Sequence, residues 1–176
     1  MLKDITTKLC ILSEEVMECD KFMEILEKIN DLSDLSKDNI VEKIKAKLKD
    51  PGLCQKWEES KSDNGSGSGI NYIFTISRDE SSAKVTLLHL ASYGNYAKVA
   101  KALIGNGANV NAEYDNKIAP LHIVAYHGYE DVVNILIAEG ANVDAKNSDG
   151  WTPLHFAAEK NHKDVVNHTR QVKKQG

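Results

Sequence analysis

The feature that most constrains this chain is a four-residue phrase that recurs three times at a fixed interval. The phrase reads Thr86-Leu87-Leu88-His89, then Ala119-Pro120-Leu121-His122, then Thr152-Pro153-Leu154-His155, so that its histidines lie 33 residues apart. Segments 107–112 and 140–145, which read GANVNA and GANVDA, keep the same spacing. A fixed period of this length is typical of repeat architectures, in which each unit buries its apolar face against its neighbours.

Local chemistry predicts two helices in each unit. Pro120 and Pro153 suit the first turn of a helix because proline has a fixed φ and no amide proton, and Thr152 can cap the helix that follows it. The first helix should end at residues that tolerate a left-handed conformation: Asn95, Gly128 and Asn161. A second apolar helix follows, closed by Gly107 in one unit and by Gly140 in the next. Each unit is therefore a helix, a turn, a helix and a loop.

The phrase and its period resemble the ankyrin repeat, whose signature combines a 33-residue unit with T-P-L-H-x-A. The resemblance covers residues 81–168 and implies an all-α fold, a short solenoid of about three helix-turn-helix repeats preceded by a small helical N-terminal region. Lys84 and Lys117 depart from the pattern, because they occupy the loop position that Gly150 fills later. Their loops should take a different or strained turn. The polar second helix of the third repeat fits either a terminal cap or an array cut short.

Residues 1–63 differ from the repeats in composition. They hold 11 lysines and 15 acidic residues, and so carry the whole net charge of −4. Apolar residues recur at helical spacing in three sets: Ile5, Leu9, Leu12 and Val16; Phe22, Ile25, Leu26 and Ile29; Val41, Ile44 and Leu48. The pattern predicts three short helices, the last of them capped by Asp38.

A glycine-serine tract at residues 64–69 separates this region from the repeats and has the composition of a flexible linker, natural or engineered. An apolar cluster follows it and would shield the outer face of the first repeat: Ile70, Tyr72, Ile73, Phe74 and Ile76. The sequence thus predicts an N-terminal helical region (1–63), a linker (64–69), a cap segment (70–80), the repeats (81–168) and a C-terminal cap or tail (169–176). In general texture the chain also resembles the ankyrin proteins of intracellular bacterial symbionts.

Composition narrows the classes of partner. A net charge of −4 argues against nucleic-acid binding, which needs a concentrated basic face. No apolar run approaches the ~20 residues of a membrane span, and the N-terminus lacks the order of a signal peptide. Cys10, Cys19 and Cys54 are scattered and lack C-x-x-C spacing, which indicates neither a disulfide framework nor a zinc site. We expect a cytoplasmic protein, delivered into a host cell if it comes from a symbiont, with no membrane or nucleic-acid partner.

The three phrase histidines could suggest a metal centre, but their spacing argues against one. Successive repeats are translated by about 10 Å, the packing distance of helices, whereas zinc holds its ligands at ~2 Å. The ankyrin resemblance implies a structural role instead, in which each ring bonds to groups of its own and the adjoining repeat. No serine or cysteine lies in a nucleophile motif such as G-x-S-x-G. We therefore expect no metal, no cofactor and no enzymatic activity.

The resemblance also implies a binding surface, because partners of ankyrin arrays usually meet the loop tips and the exposed side of each first helix, which together form a concave face. The loop residues are Glu113, Asp115, Asn116, Ile118, Lys146, Ser148, Asp149 and Trp151, and the helix residues are Tyr93, Tyr126, His127, Glu159 and Lys160. Exposed tyrosine and tryptophan often anchor interfaces. The expected function is recognition of a protein partner. The alternative is that the N-terminal helices are the active element, for self-association or regulation, and that the repeats support them.

Overall fold

The computed structural model describes residues 16–48, 51, 70–71, 73–78 and 81–175. The helices are α1 (Val16–Asn30), α2 (Ile40–Lys47), α3 (Leu87–Tyr93), α4 (Ala97–Gly105), α5 (Pro120–His127), α6 (Glu130–Ala138), α7 (Pro153–Glu159) and α8 (Lys163–Gln175). Strands β1 (Ile73–Arg78) and β2 (Ser81–Thr86) form an antiparallel hairpin between α2 and α3. None of the helices described is long and apolar enough to cross a bilayer.

Six of these helices form three stacked pairs. The first helices lie side by side in the order α3, α5, α7, and the second helices in the order α4, α6, α8. Neighbouring pairs share one core, which includes Leu88, Leu103, Leu121, Val132, Leu136 and Ala157. This arrangement confirms the predicted all-α fold class with three repeats. The hairpin, in which Ile73 lies opposite Thr86, is an addition that the sequence analysis did not predict.

The turns inside the repeats adopt the predicted left-handed conformation. The backbone φ is 57° at Asn95, 76° at Gly128 and 61° at Asn161. A single left-handed residue lets the chain reverse between paired helices that at most three residues separate. The residue types at these positions therefore determine how closely each helix pair packs.

The loop before each first helix, here called a finger, shows how lysine replaces glycine. Gly150 has a φ of 78°, and Lys117 takes a φ of 56° directly after Asn116 at 59°. A left-handed non-glycine residue costs on the order of 1 kcal/mol, so the finger before α5 is strained. Lys84 lies instead in β2, opposite Thr75. The prediction of a different or strained turn is confirmed at both lysines.

Each phrase histidine accepts a hydrogen bond within its own repeat. Its Nδ1 receives the backbone N–H three residues earlier: Thr86 to His89 at 3.2 Å, Ala119 to His122 at 3.1 Å, and Thr152 to His155 at 3.1 Å. An Nδ1 that accepts leaves the ring proton of a neutral histidine on Nε2. The ring can then donate from its far edge.

That second edge joins one repeat to the next. Nε2 of His89 donates to the carbonyl of Ile118 at 3.2 Å. Nε2 of His122 donates to the carbonyls of Ala145 at 3.0 Å and Trp151 at 3.2 Å. Both rings are 1% exposed. The structural role predicted for these histidines is confirmed at both junctions.

The N-terminal helices pack on the outer face of the first repeat. α1 lies against α3 and α4, and α2 lies against α4. Their inward side chains are fully buried: Phe22, Leu26, Ile29, Ile40 and Ile44. They belong to the same core as Leu88 and Leu103 of the repeat. These helices and the fully buried Ile70 therefore shield an apolar face that would otherwise meet water.

Two of the three predicted N-terminal helices are confirmed, with a different cap. The Phe22 set lies in α1, and Val41 and Ile44 lie in α2. The predicted N-cap, Asp38, is wrong: α2 begins after Asn39, whose side-chain Oδ1 accepts from the Ser36 backbone N–H at 2.9 Å. The helix predicted at 5–12, the linker at 64–69 and position 72 lie outside the described residues.

The last helix, α8, has one buried and one polar side. Val165 and Thr169 are 1% exposed, and the Thr169 hydroxyl donates to the Val165 carbonyl at 2.7 Å. This bond satisfies a polar group that stands where the second repeat has Leu136. The opposite side carries Lys163, Asp164, Arg170 and Gln171 in solvent. A polar outer side is what the end of a stacked array requires.

Deletion of residues 152–176 should cause aggregation, because it removes α7 and α8 and uncovers Leu121, Val124 and Val133, each at most 2% exposed. Each uncovered side chain loses about 1.5–3 kcal/mol of burial free energy. Size-exclusion chromatography and chemical denaturation measure the outcome. Deletion of residues 174–176 alone is the matched control. A soluble, cooperatively folding long deletion would contradict the stacking argument.

Acid should weaken the fold through His89. Burial lowers the pKa of its imidazole to about 4, against ~6.5 in an unfolded chain. The stability from the neutral ring is thus complete above pH ~6.5 and is lost as the pH falls toward 4. Between pH 7 and pH 5 the free energy of unfolding should fall by about 2 kcal/mol because of this group.

Urea denaturation at the two pH values, on the native chain and on His89→Gln, isolates that term. Most carboxylates stay ionised at pH 5, so the variant should show a smaller loss on acidification. Equal losses in both proteins would show that His89 does not cause the effect.

Candidate protein-interaction surface

The fingers before α5 and α7 are tied to each other through their backbones. In the first of them, Tyr114 and Ile118 exchange N–H to carbonyl bonds of 3.0 and 3.1 Å. The Ser148 N–H of the second donates to the Asn116 carbonyl of the first at 2.8 Å. The two tips therefore keep a fixed spacing.

Asn147 shapes the second of these fingers. Its side-chain Oδ1 accepts from the backbone N–H of Asp149 at 3.0 Å and of Trp151 at 2.7 Å, and its own N–H donates to the Trp151 carbonyl at 2.9 Å. The residue is 7% exposed. Sequence reasoning missed it, although an asparagine two residues before a turn position is a known turn former.

The predicted loop residues divide into exposed and buried ones. Six have exposed side chains: Glu113, Asp115, Asn116, Lys146, Ser148 and Asp149. The predicted surface position of Ile118 is wrong, because this residue is 3% exposed and packs with Ile123 and Phe156. Its pairing with Tyr114 makes it an inward part of the finger rather than its tip.

The predicted helix residues include an aromatic row on α3 and α5. The ring of His127 meets Tyr93 edge-on at 5.4 Å between centroids and Tyr126 edge-on at 5.1 Å. Tyr129, which sequence analysis did not select, stacks on the same imidazole at 5.1 Å. All four side chains are half-buried. Each ring braces the next and keeps part of its surface in solvent.

Lys160 and Glu159 extend the row at the end of α7. The Lys160 Nζ lies 4.5 Å from the centroid of the Tyr126 ring, a cation–π contact worth about 0.5–1 kcal/mol at such sites. Glu159 is exposed. The aromatic row therefore ends in a pair of opposite charges.

Trp151 rests on the same buried ring as Tyr126. Its centroid lies 5.4 Å from that of Phe156 and 5.9 Å from that of His155, and Tyr126 lies 6.3 Å from Phe156. Phe156 is 1% exposed, while Trp151 and Tyr126 stay half-buried. One core side chain thus forms the floor beneath two predicted anchors.

The row is uncharged, and the charges lie around it. Burial lowers the pKa of His127, and the nearby His162 and Lys160 lower it further. In the part of the chain that the structure describes, the His127 Nε2 is buried without a hydrogen-bond partner. The finger tips carry both signs: Glu113, Asp115, Lys117, Lys146 and Asp149. We call this whole surface, from the finger tips to the row, the recognition face.

The chemistry available on this face is that of recognition. Among the described residues, no group of three or more histidine, cysteine, aspartate or glutamate side chains is placed to hold a metal ion. The structure brings Tyr93, Tyr126 and His127 together, and a shared contact with Phe156 joins Trp151 to them. The face therefore offers ring surfaces and paired charges.

Comparison with known proteins agrees with this architecture. The family of ankyrin repeats matches residues 79–168 in three copies. No curated protein matches the chain. Three stacked helix pairs, the 33-residue phrase and a family match over half of the sequence lead to one conclusion: this chain belongs to the ankyrin-repeat family.

Proposed function

We propose that the chain is a non-enzymatic module that binds a protein partner through its recognition face. Ankyrin repeats generally serve as protein–protein interaction modules. The observation that carries the proposal is the half-exposed aromatic row with Trp151 beside it. Tyrosine and tryptophan are over-represented among the residues that supply most of the binding energy of interfaces.

Preordering of these rings supports the proposal. Tyr126 is held between His127 and Lys160, and it lies on Phe156. Ordering a free side chain on binding costs about 0.5–1.5 kcal/mol, and a side chain that is already packed avoids part of this cost. A partner would therefore meet anchors that are close to their bound conformation.

The fingers suit the polar rim of such an interface. Their tips expose both charge signs around the uncharged row, and the bond between Ser148 and Asn116 sets their spacing. Rim charges mainly steer association and select the partner, whereas the apolar centre supplies affinity. The recognition face has this division of roles.

The remaining segments have supporting roles in the proposal. Residues 81–168 carry the recognition face, residues 64–69 join it to the N-terminal region at 1–63, and residues 169–176 form the C-terminal cap or tail. The inward sides of α1 and α2 are occupied by their packing on the first repeat. If these helices were instead the active element, only their outer sides would be available to a partner.

The test is a double variant, Trp151→Ala with Tyr126→Ala. Loss of an anchor costs about 2 kcal/mol or more in an interface, which is roughly a 30-fold loss of affinity for each ring. Quantitative affinity capture should recover a set of proteins with the native chain and lose it with the variant. Direct titration of a recovered partner then measures the change in Kd.

Phe156→Leu is the matched control. Both anchors rest on Phe156, so their removal should also lower stability somewhat, and the control lowers stability without changing the exposed rings. The control should retain capture. If the double variant binds normally and deletion of residues 1–63 eliminates binding, the N-terminal helices are the functional element.

A further inference from the structure

The segment before the three family repeats is built and attached as a repeat is. We propose that α1, α2 and the pair Ile70-Asn71 form a fourth, sequence-divergent ankyrin repeat, which Asn71 positions on the next one. The family match begins at residue 79 and does not include them. This inference goes beyond the proposed function and does not depend on what the recognition face binds.

A side-chain ladder joins the first family repeat to the second. The Nδ2 of Asn111 donates to the Gly140 carbonyl at 3.1 Å, and its Oδ1 accepts from the Asn142 N–H at 2.8 Å. One asparagine thereby satisfies an acceptor and a donor in the loop that follows the second helix of the next repeat. Such bonds determine register, because both partners are fixed backbone groups.

Asn71 makes the same pair of bonds one repeat earlier. Its Nδ2 donates to the Gly107 carbonyl at 3.2 Å, and its Oδ1 accepts from the Asn109 N–H at 2.9 Å. Gly107 and Asn109 stand 33 residues before Gly140 and Asn142, so the acceptor and donor are the equivalent ones. Asn71 therefore occupies the place of Asn111 in the unit that precedes it.

The helices stack in the same sense. α1 lies against α3 as α3 lies against α5, and α2 lies against α4 as α4 lies against α6. Ile70 precedes Asn71 as Val110 precedes Asn111, and each is packed in the shared core. First helix, second helix and asparagine all fall where a repeat would place them.

A further polar contact joins this unit to α4. The Asn30 Oδ1 at the end of α1 accepts from the backbone N–H groups of Lys98 at 3.1 Å and Val99 at 3.4 Å. These amides lie in the first turn of α4, where N–H groups have no partner within their own helix. The divergent unit thus caps a helix of its neighbour.

Altered connection lengths explain why no sequence motif marks this repeat. Nine residues separate α1 from α2, against two or three in the other pairs. From Lys47, the end of α2, to Asn71 is 24 residues, whereas from Gly105, the end of α4, to Asn111 is six. The longer connection contains the glycine-serine tract at 64–69. The 33-residue period is therefore lost although the contacts remain.

The experiment compares Asn71→Ala with Asn111→Ala in the full chain. Both should lower the thermal midpoint by a similar amount, about 3–8 °C for loss of two hydrogen bonds in a domain of this size. Asn134→Ala, on an exposed position of α6, is the control and should leave the midpoint within about 1 °C. Asn71→Asp keeps the acceptor and loses the donor, so its midpoint should lie between those of the native chain and Asn71→Ala.

Hydrogen exchange on the native chain provides a readout that does not depend on any variant. Amides of α1 and α2 should be protected to a level similar to those of α3 and α4, because stacked repeats open together. In Asn71→Asp the Asn109 amide should stay protected, since its acceptor remains. Rapid exchange throughout α1 and α2 beside a protected α3–α6 would overturn the proposal, as would an Asn71→Ala midpoint equal to that of the native chain.

Discussion

A pair of short antiparallel helices has two apolar faces, and neither can stay in water. Every large feature of this fold follows from covering them. α5 and α6 in the middle are covered on both sides by other repeats. α3 and α4 receive α1 and α2, whose buried isoleucines and phenylalanine enter the same core. The last pair needs no cover on its outer side, because α8 presents lysine, aspartate, arginine and glutamine there.

Apolar stacking alone would not position the repeats, because the hydrophobic effect has no direction. Polar side chains that reach from one unit to the backbone of the next provide the register. His89 and His122 donate across two junctions, and Asn71 and Asn111 bridge loops near the ends of second helices. The histidine bonds require a neutral ring with its proton on Nε2. Burial maintains that state by lowering the pKa of both imidazoles.

Local features were predictable from the sequence, and contacts between distant segments were not. Asn95, Gly128 and Asn161 could be assigned to left-handed turns because few residue types tolerate that conformation. The hairpin and the place of Asn71 depend on pairings across insertions of variable length, which leave no period to detect. On the recognition face, residue type correctly indicated exposed finger tips. It misplaced Ile118, because the backbone pairing with Tyr114 decides which finger residue is buried.

The recognition face is not separate from the register bonds that hold the array. The Trp151 carbonyl accepts from His122 at 3.2 Å, while the Trp151 ring lies half in solvent above Phe156. The same residue therefore closes the junction between the second and third repeats and offers an anchor to a partner. Substituting its side chain leaves the carbonyl bond in place, whereas protonating His122 would convert the acceptor Nδ1 into a donor facing the Ala119 N–H. Acid should consequently disturb the position of the finger before it changes any charge on the exposed rings, which makes the geometry of the face a property of the core beneath it.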